Sequence, residues 1–254
     1  PYRGLTDWRD GVTADLYLVS LETGERKLLF KDFDQRPVWS PNGKYAMLYH
    51  AGQKTWFKLE VATGELTDVS TPIGYAMYDE EYDKPKPAGY DKYDMWVVDL
   101  SGKQQTYSLT GGWGRKNDIS LRLLKADYET RWINPKQNIV LHALNREALN
   151  QGVYVLTPAR KVKKLMEGAY DLYFNQLSDG GKYCLFTRQS YSDFRDLWWS
   201  KCDFARPVRV TDANPQRENY LWGSVKLVEW TNFEGKRNRG LLYLPDNYDS
   251  TKRY

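Results

Sequence analysis

Asp15-Leu16-Tyr17-Leu18-Val19-Ser20-Leu21-Glu22-Thr23-Gly24-Glu25 is the stretch from which the rest of the chain is read. Leu16, Leu18 and Leu21 mark a strand and Thr23-Gly24 turns it, so Arg26 to Phe30 is expected to return antiparallel. Ser40-Pro41-Asn42-Gly43-Lys44-Tyr45 then supplies a second turn, opening a pair of strands across Pro37 to His50. The unit recurs. Thr63-Gly64-Glu65 copies Thr23-Gly24-Glu25, and the strand returns as Thr55-Trp56-Phe57, Asp94-Met95-Trp96, Gly152-Val153-Tyr154 and Asp196-Leu197-Trp198. Anchored at residues 15, 55, 94, 152 and 196, the copies lie 40, 39, 58 and 44 residues apart. A four-stranded propeller blade takes roughly 40 to 50 residues, so the chain reads as all-β, a β-propeller with about five partial blades in view.

Composition agrees with this reading. The 254 residues are 41% hydrophobic, enough for a substantial core, and 10 Trp and 20 Tyr suit pleated, half-buried surfaces better than helices. The formal net charge of +4 arises from 37 basic and 33 acidic residues spread over the whole length, which excludes a nucleic-acid footprint. The basic run Arg160-Lys161-Val162-Lys163-Lys164 alternates around Val162 and is expected to be a solvated turn leading to an edge strand. No apolar run approaches the ~18 residues that span a bilayer, so no transmembrane segment is expected. The chain opens at Pro1-Tyr2-Arg3-Gly4 without an initiator Met, as a cut into a longer polypeptide would.

The later units are less regular. Lys84-Pro85-Lys86-Pro87-Ala88-Gly89 falls where a turn is due and runs straight into Tyr90 to Trp96, so this blade is short of a hairpin or residues are absent near Gly89 and Tyr90. Ile119 to Leu124 and Tyr128 to Ile133 are expected to flank a turn at Asp127, and Ile139 to Leu144 and Val153 to Leu156 a polar loop. Val225 to Trp230 and Gly240 to Pro245, joined by Phe233-Glu234-Gly235, form a hairpin outside the blade period. Propeller blades are therefore assigned to 1–219, and 220–254 to a junction hairpin that starts a different domain.

Chemistry is sparse. No G-x-S-x-G elbow is present, and His50 and His142 have no nucleophile or carboxylate cluster at motif spacing, so no residue is assigned as catalytic. No metal is expected, since two His and two Cys lie far apart without a ligand motif, and no cofactor is implied. Gly111-Gly112-Trp113-Gly114-Arg115-Lys116-Asn117 has too few glycines for a phosphate loop and is expected to be a turn. Tyr78-Asp79-Glu80-Glu81-Tyr82-Asp83 is either an acidic surface loop or a clamp for a cationic group such as a peptide N-terminus. Cys184 and Cys202 fall symmetrically about residue 193 on two arms of a hairpin, opposite one another; a disulfide and two half-buried thiols both remain open. A bridge would favour an oxidising, extracytoplasmic compartment.

Trp222-Gly223-Ser224-Val225-Lys226-Leu227-Val228-Glu229-Trp230, then Phe233-Glu234-Gly235-Lys236 and Gly240-Leu241-Leu242-Tyr243-Leu244-Pro245-Asp246-Asn247-Tyr248-Asp249, resembles the crossing from propeller to catalytic domain in the prolyl oligopeptidase family of serine peptidases. Bacterial dipeptidyl peptidase IV-like and acylaminoacyl peptidase-like members are the nearest likeness. Tyr78 to Glu81, Tyr90 to Trp96, Gly114 to Asn117 and Thr211 to Gln216 carry it further, over nearly the whole chain. The resemblance implies a propeller that gates and positions peptide substrates for an α/β-hydrolase domain of the same polypeptide, in a periplasmic or secreted enzyme, with a second copy of the chain as a further candidate partner. It places the family's Ser, Asp and His beyond Tyr254 and further blades before Pro1. Glu80 and Glu81 resemble the glutamate pair that holds the substrate N-terminus in the dipeptidyl peptidase IV branch, although their flanking sequence departs from it. The alternative is a stand-alone TolB-like propeller that binds a protein or ligand, whose repeats carry turns like Ser40 to Lys44. A glycosidase-type propeller is the third reading, and it lacks a carboxylate pair at suitable spacing.

Overall fold

In the computed structural model the described residues are 14–33, 35–40, 42–50, 53, 55–70, 92–103, 105–124, 133–134, 136–178 and 182–252. Glu80, Glu81, the proline-rich segment near Gly89 and the expected Asp127 turn lie outside them. The strands β1 (Ala14–Val19) and β2 (Arg26–Phe33) pair antiparallel, and β3 (Val38–Trp39), β4 (Tyr45–His50), β5 (Thr55–Glu60) and β6 (Glu65–Asp68) form an antiparallel sheet in chain order. β7 (Trp96–Val97) pairs with β8 (Tyr107–Ser108). β9 (Ile119–Leu123), β10 (Ile139–Asn145), β11 (Gln151–Leu156) and β12 (Val162–Gly168) make a second four-stranded sheet, and β13 (Asp171–Leu177), β14 (Tyr183–Gln189), β15 (Asp196–Lys201) and β16 (Val208–Arg209) a third. β17 (Ser224–Thr231) and β18 (Arg237–Leu244) close the series as a separate hairpin. Sheets of four sequence-adjacent strands are propeller blades. The anchors at 55, 152 and 196 fall at the head of the third strand of a four-stranded sheet, β5, β11 and β15, and those at 15 and 94 at or just before the head of the first strand of the pairs β1–β2 and β7–β8.

The repeated turns are built alike. At Thr23-Gly24 and Thr63-Gly64 the glycine has φ of 73° and 63°, its N–H donates to the carbonyl of Ser20 or Glu60, and the threonine hydroxyl accepts the following N–H. Only glycine adopts that backbone at no steric cost. Ser40 and Ser178 also match: each hydroxyl accepts the N–H of a tyrosine five residues on, Tyr45 or Tyr183, at 3.0 Å. The basic run behaves as read, with Arg160 in a turn and β12 at the edge of its sheet.

The chain divides into two compact units, one of residues 1–122, 131–139 and 156–162, the other of 123–130, 140–155 and 163–254. Within the first, Ala46 and Leu48 on one face of β4 pack with Phe33 and Leu59 against Leu16, Leu29 and Phe30, while Met47 and Tyr49 on the other face pack with Trp56 against Trp96, Val98 and Leu100. A strand buried on both faces reads as a continuous apolar run, which is why Tyr45-Ala46-Met47-Leu48-Tyr49 shows no alternation. Within the second unit, Leu172, Cys184, Phe186 and Phe204 pack on Val153, with Phe174, Leu165 and Met166 around them.

In each of two of these sheets a buried carboxylate fastens the head of one strand to the chain that leaves the next. Asp94 accepts the Thr110 hydroxyl at 2.6 Å and the Gly114 and Arg115 N–H groups at 2.9 and 3.0 Å; the Thr110 oxygen accepts Met95 N–H. Asp196 repeats the pattern with Thr211 at 2.7 Å, Ala213 N–H at 2.9 Å and the Arg209 guanidinium, and Thr211 accepts Leu197 N–H. In the β3–β6 blade Ser70 accepts Trp56 N–H, with Thr55 where the aspartate would stand. Gly111 to Asn117, expected to be a turn, instead carries a one-turn helix, α1 (Trp113–Lys116), because the Asp94 carboxylate satisfies N–H groups that such a short helix leaves bare.

Burial pushes the Asp196 carboxyl up, but Thr211, Ala213 and Arg209 together hold it below the ordinary aspartate value. A carboxyl with a depressed folded value stabilises above its unfolded pKa of about 3.9, and that contribution disappears as pH falls through the folded value. Asp196→Ala is expected to cost about 3 kcal/mol at pH 7, because it leaves the Thr211 hydroxyl and the Ala213 N–H without their acceptor and Arg209 with Asp212 as its remaining carboxylate partner. Urea melts of wild type and variant should converge in acid; an equal gap at neutral and acid pH would remove the clasp as the cause.

Candidate functional site

The described polar and aromatic contacts of the last hairpin converge on one side of the second unit. Two loops reach it, each joining the second and third strands of a blade. In the first, Asn145 folds the loop by accepting the N–H groups of Glu147 and Ala148 at 3.1 and 3.0 Å, which lifts Glu147 outward. Its own amide donates to Glu167, which also accepts the Tyr154 hydroxyl; burial, then that carboxylate, drives the Tyr154 phenol far above its usual value. In the second loop, Ser190 accepts Asp193 N–H and presents Tyr191.

β18 answers these loops with a pair of arginines. Residues two apart share a strand face, so Arg237 and Arg239 point the same way. Arg237 bridges Glu147, at 2.7 Å, and Glu229 of β17. Arg239 donates to the backbone carbonyls of Glu147 and Arg146 at 2.7 and 2.9 Å. The Arg237 hydrogen bond and charge hold the Glu147 carboxyl below its ordinary value, and Glu229 with Glu147 holds the Arg237 guanidinium higher still. On the other side Tyr191 donates to the Trp222 carbonyl at 2.8 Å and meets the Tyr243 ring edge-on, while Trp222 Nε1 donates to the Arg217 carbonyl. Gly223 makes the entry to β17, with φ of 76° and a position where a Cβ would stand 2.2 Å from the Leu244 carbonyl oxygen.

This arrangement is a docking junction without a nucleophile. His50 Nδ1 accepts Gln53 N–H, and His142 lies against Gln151. Cys184 and Cys202 are both free. Arg188 pairs with Asp196, so the hairpin centres on 192 and not 193; Cys184 therefore faces Ser200, and Cys202 follows the end of β15 on the diagonal. Burial pushes the Cys184 thiol up to about 12 and raises Cys202 as well. The cysteines give no argument for an oxidising compartment. Sequence reading missed Glu147, Arg237 and Arg239, although Arg237-Asn238-Arg239 on a strand already signals two cations on one face.

No family model matches the chain, and no curated protein matches it. Among solved structures, dipeptidyl peptidase 4 from Porphyromonas gingivalis aligns with a TM-score of 0.61 at 13% identity, over 94% of this chain and 36% of its own. The fold is that of a β-propeller. The acylaminoacyl peptidase from Pyrococcus horikoshii (TM-score 0.39, 10% identity, 96% and 30% covered) and a putative TolB from Agrobacterium tumefaciens (0.40, 12%, 92% and 90%) are more distant. The chain thus spans 36% of the length of the Porphyromonas enzyme. Among the described residues no helix is long and apolar enough to cross a membrane.

Two outcomes are expected here. Glu147→Gln should speed hydrogen exchange at the β17–β18 amides severalfold at neutral pH, and wild type should approach the variant at ~1 M salt or as pH falls through the depressed Glu147 value. Unchanged exchange in the variant would show that the ion pair does not hold the hairpin. Intact mass should be the same with and without reductant, and iodoacetamide at neutral pH should leave Cys184 unmodified until the chain unfolds; native alkylation of Cys184 would contradict its burial.

Proposed function

We propose that this chain is the propeller portion of a serine-type peptidase, that 220–254 leads into an α/β-hydrolase domain bearing the catalytic Ser, Asp and His, and that the propeller gates and positions peptides for it. The observation that carries the reading is the state of β17–β18. Polar contacts pin the hairpin to the blade loops, yet Leu227, Trp230, Leu241, Leu242 and Phe233 stay exposed, Phe233 at 98%. An isolated two-stranded hairpin is marginal in water; Trp230 and Leu242 share the face opposite that of Arg237 and Arg239, and exposed apolar side chains on both faces of the hairpin support a packing partner. A hydrolase domain of the same polypeptide supplies that partner and sits on the side where the blade loops gather. A periplasmic or secreted enzyme acting on peptides is part of the same reading.

The 254-residue chain alone is expected to leave an aminoacyl-proline p-nitroanilide uncleaved, and the polypeptide expressed with its following residues to cleave it. Leu242→Asp in the longer polypeptide should lower kcat/KM at least about tenfold, a loss of ~1.4 kcal/mol in transition-state stabilisation, through a displaced hydrolase domain. Turnover by the short chain would refute the reading. A longer polypeptide with no amidase activity would favour the TolB-like binding module.

A further inference from the structure

Among the described residues the sheet β13–β16 is packed on one face. Leu172, Cys184 and Phe186 turn that face into the core of the second unit, while Tyr183, Leu185 and Trp199 alternate onto the other. Gln176, Leu185 and Trp199 stand opposite one another across β13, β14 and β15, and the bulge between Phe174 and Gln176 is what brings Gln176 into that row. Tyr183 and Trp199 are 46% and 39% exposed, and their rings meet edge-on at 5.9 Å and 63°. A cavity of about 370 Å³ opens here, lined by Gln176, Leu177, Ser178, Tyr183, Leu185 and Trp199. Small-molecule sites start at roughly 300 Å³ and combine apolar walls with a few polar groups.

The polar groups of this cavity retain bonding capacity. Ser178 Oγ accepts Tyr183 N–H at 3.0 Å, which leaves the hydroxyl proton to be donated. The Gln176 amide and the Trp199 indole N–H have no hydrogen-bond partner among the described residues. No charged side chain among those residues lines the cavity, so it suits a neutral ligand with an apolar face and a polar rim. A pyranose has both: its C–H groups lie against the negative face of an aromatic ring, and its hydroxyls meet amide, hydroxyl and indole groups at the edge. A proline-rich peptide also takes aromatic walls, but it needs a track on which successive prolines sit one polyproline turn, roughly 9 Å, apart. Two rings in edge contact at 5.9 Å make a single corner. Glycoside hydrolysis requires two carboxylates, and none of the described lining residues carries one, so the corner is suited to binding and not to cleavage.

We propose that this corner on β13–β15 binds a neutral pyranose unit of a glycan, with Trp199 as the stacking ring, Tyr183 as the wall, and Gln176 and Ser178 as partners of its hydroxyls. Ser178 and Tyr183 mark the turn end of the β13–β14 pair, whereas the loop whose Tyr191 touches the last hairpin leaves β14 at its other end. The site therefore offers an anchoring point on a glycan away from the hairpin junction, and it needs neither a hydrolase domain nor the peptidase reading.

The 254-residue chain, labelled with ¹⁵N, is titrated to ~50 mM with methyl glucopyranoside, methyl galactopyranoside and N-acetylglucosamine, a range suited to millimolar dissociation constants. Sorbitol and N-acetyl-prolyl-proline amide serve as comparisons. At least one pyranose is expected to shift the Trp199 indole and Gln176 side-chain amide signals saturably; sorbitol, which carries hydroxyls without a ring face, is expected to leave them in place. Trp199→Val should abolish the Gln176 shift. Gln176→Ala, at an exposed position, should weaken the Trp199 shift severalfold and keeps the test decisive should the first variant fail to fold. No saturable shift with any pyranose, equal shifts with sorbitol, tighter binding of the proline peptide than of every sugar, or undiminished binding in a folded variant would overturn the site. A Trp199 signal that moves on dilution of the sugar-free chain would assign the face to a second copy and overturn it as well. Amidase activity in the longer polypeptide bears on none of these outcomes.

Discussion

Two of the sheets in this chain fasten the head of one strand to the chain that leaves the next. A carboxylate does this at Asp94 and Asp196, each almost fully buried and each holding a threonine hydroxyl that in turn accepts the next backbone N–H. Burying a charge is costly unless donors surround it. Here they do: two backbone N–H groups at Asp94, one and an arginine at Asp196. The clasp therefore fixes where the exit segment goes, and that segment becomes α1 after β8 and a 3₁₀ helix, Pro215–Asn219, after β16. Trp222 and the hairpin follow from the second of these.

The blade period was legible because turns are local. Thr-Gly-Glu and the serine turns need only glycine's left-handed backbone and a hydroxyl within a few residues, so their copies survive as visible sequence. The clasp was visible only as its echo, the recurring Asp at 94 and 196, since its partners lie 13 to 21 residues away. The same distance effect misplaced the cysteines: symmetry about a loop gives register only to within a residue or two, and Arg188 opposite Asp196 decides it. α1 was missed because four residues carry no helical period; its stability comes from the carboxylate that receives it.

The candidate site was less legible still. Glu147 looks like any loop acid until Asn145 turns its loop, and Arg237 and Arg239 look like solubilising edge charges until that loop meets them. The hairpin did announce itself by leaving the blade period. Its apolar residues are neither propeller core nor ordinary surface, which supports the proposal of a strand pair shared between two domains.

Asp196 and Asp171 show how the same side chain is held differently when buried and when exposed. Asp196 is buried, and a guanidinium cancels its charge while hydroxyl and backbone donors fill its oxygens. Asp171 is exposed and is aimed by two neutral amides, which fix direction without supplying a counter-charge. A propeller whose strands are committed to packing leaves such groups only at its loop ends, and in this chain that is also where the hairpin is fastened by Glu147 and Tyr191.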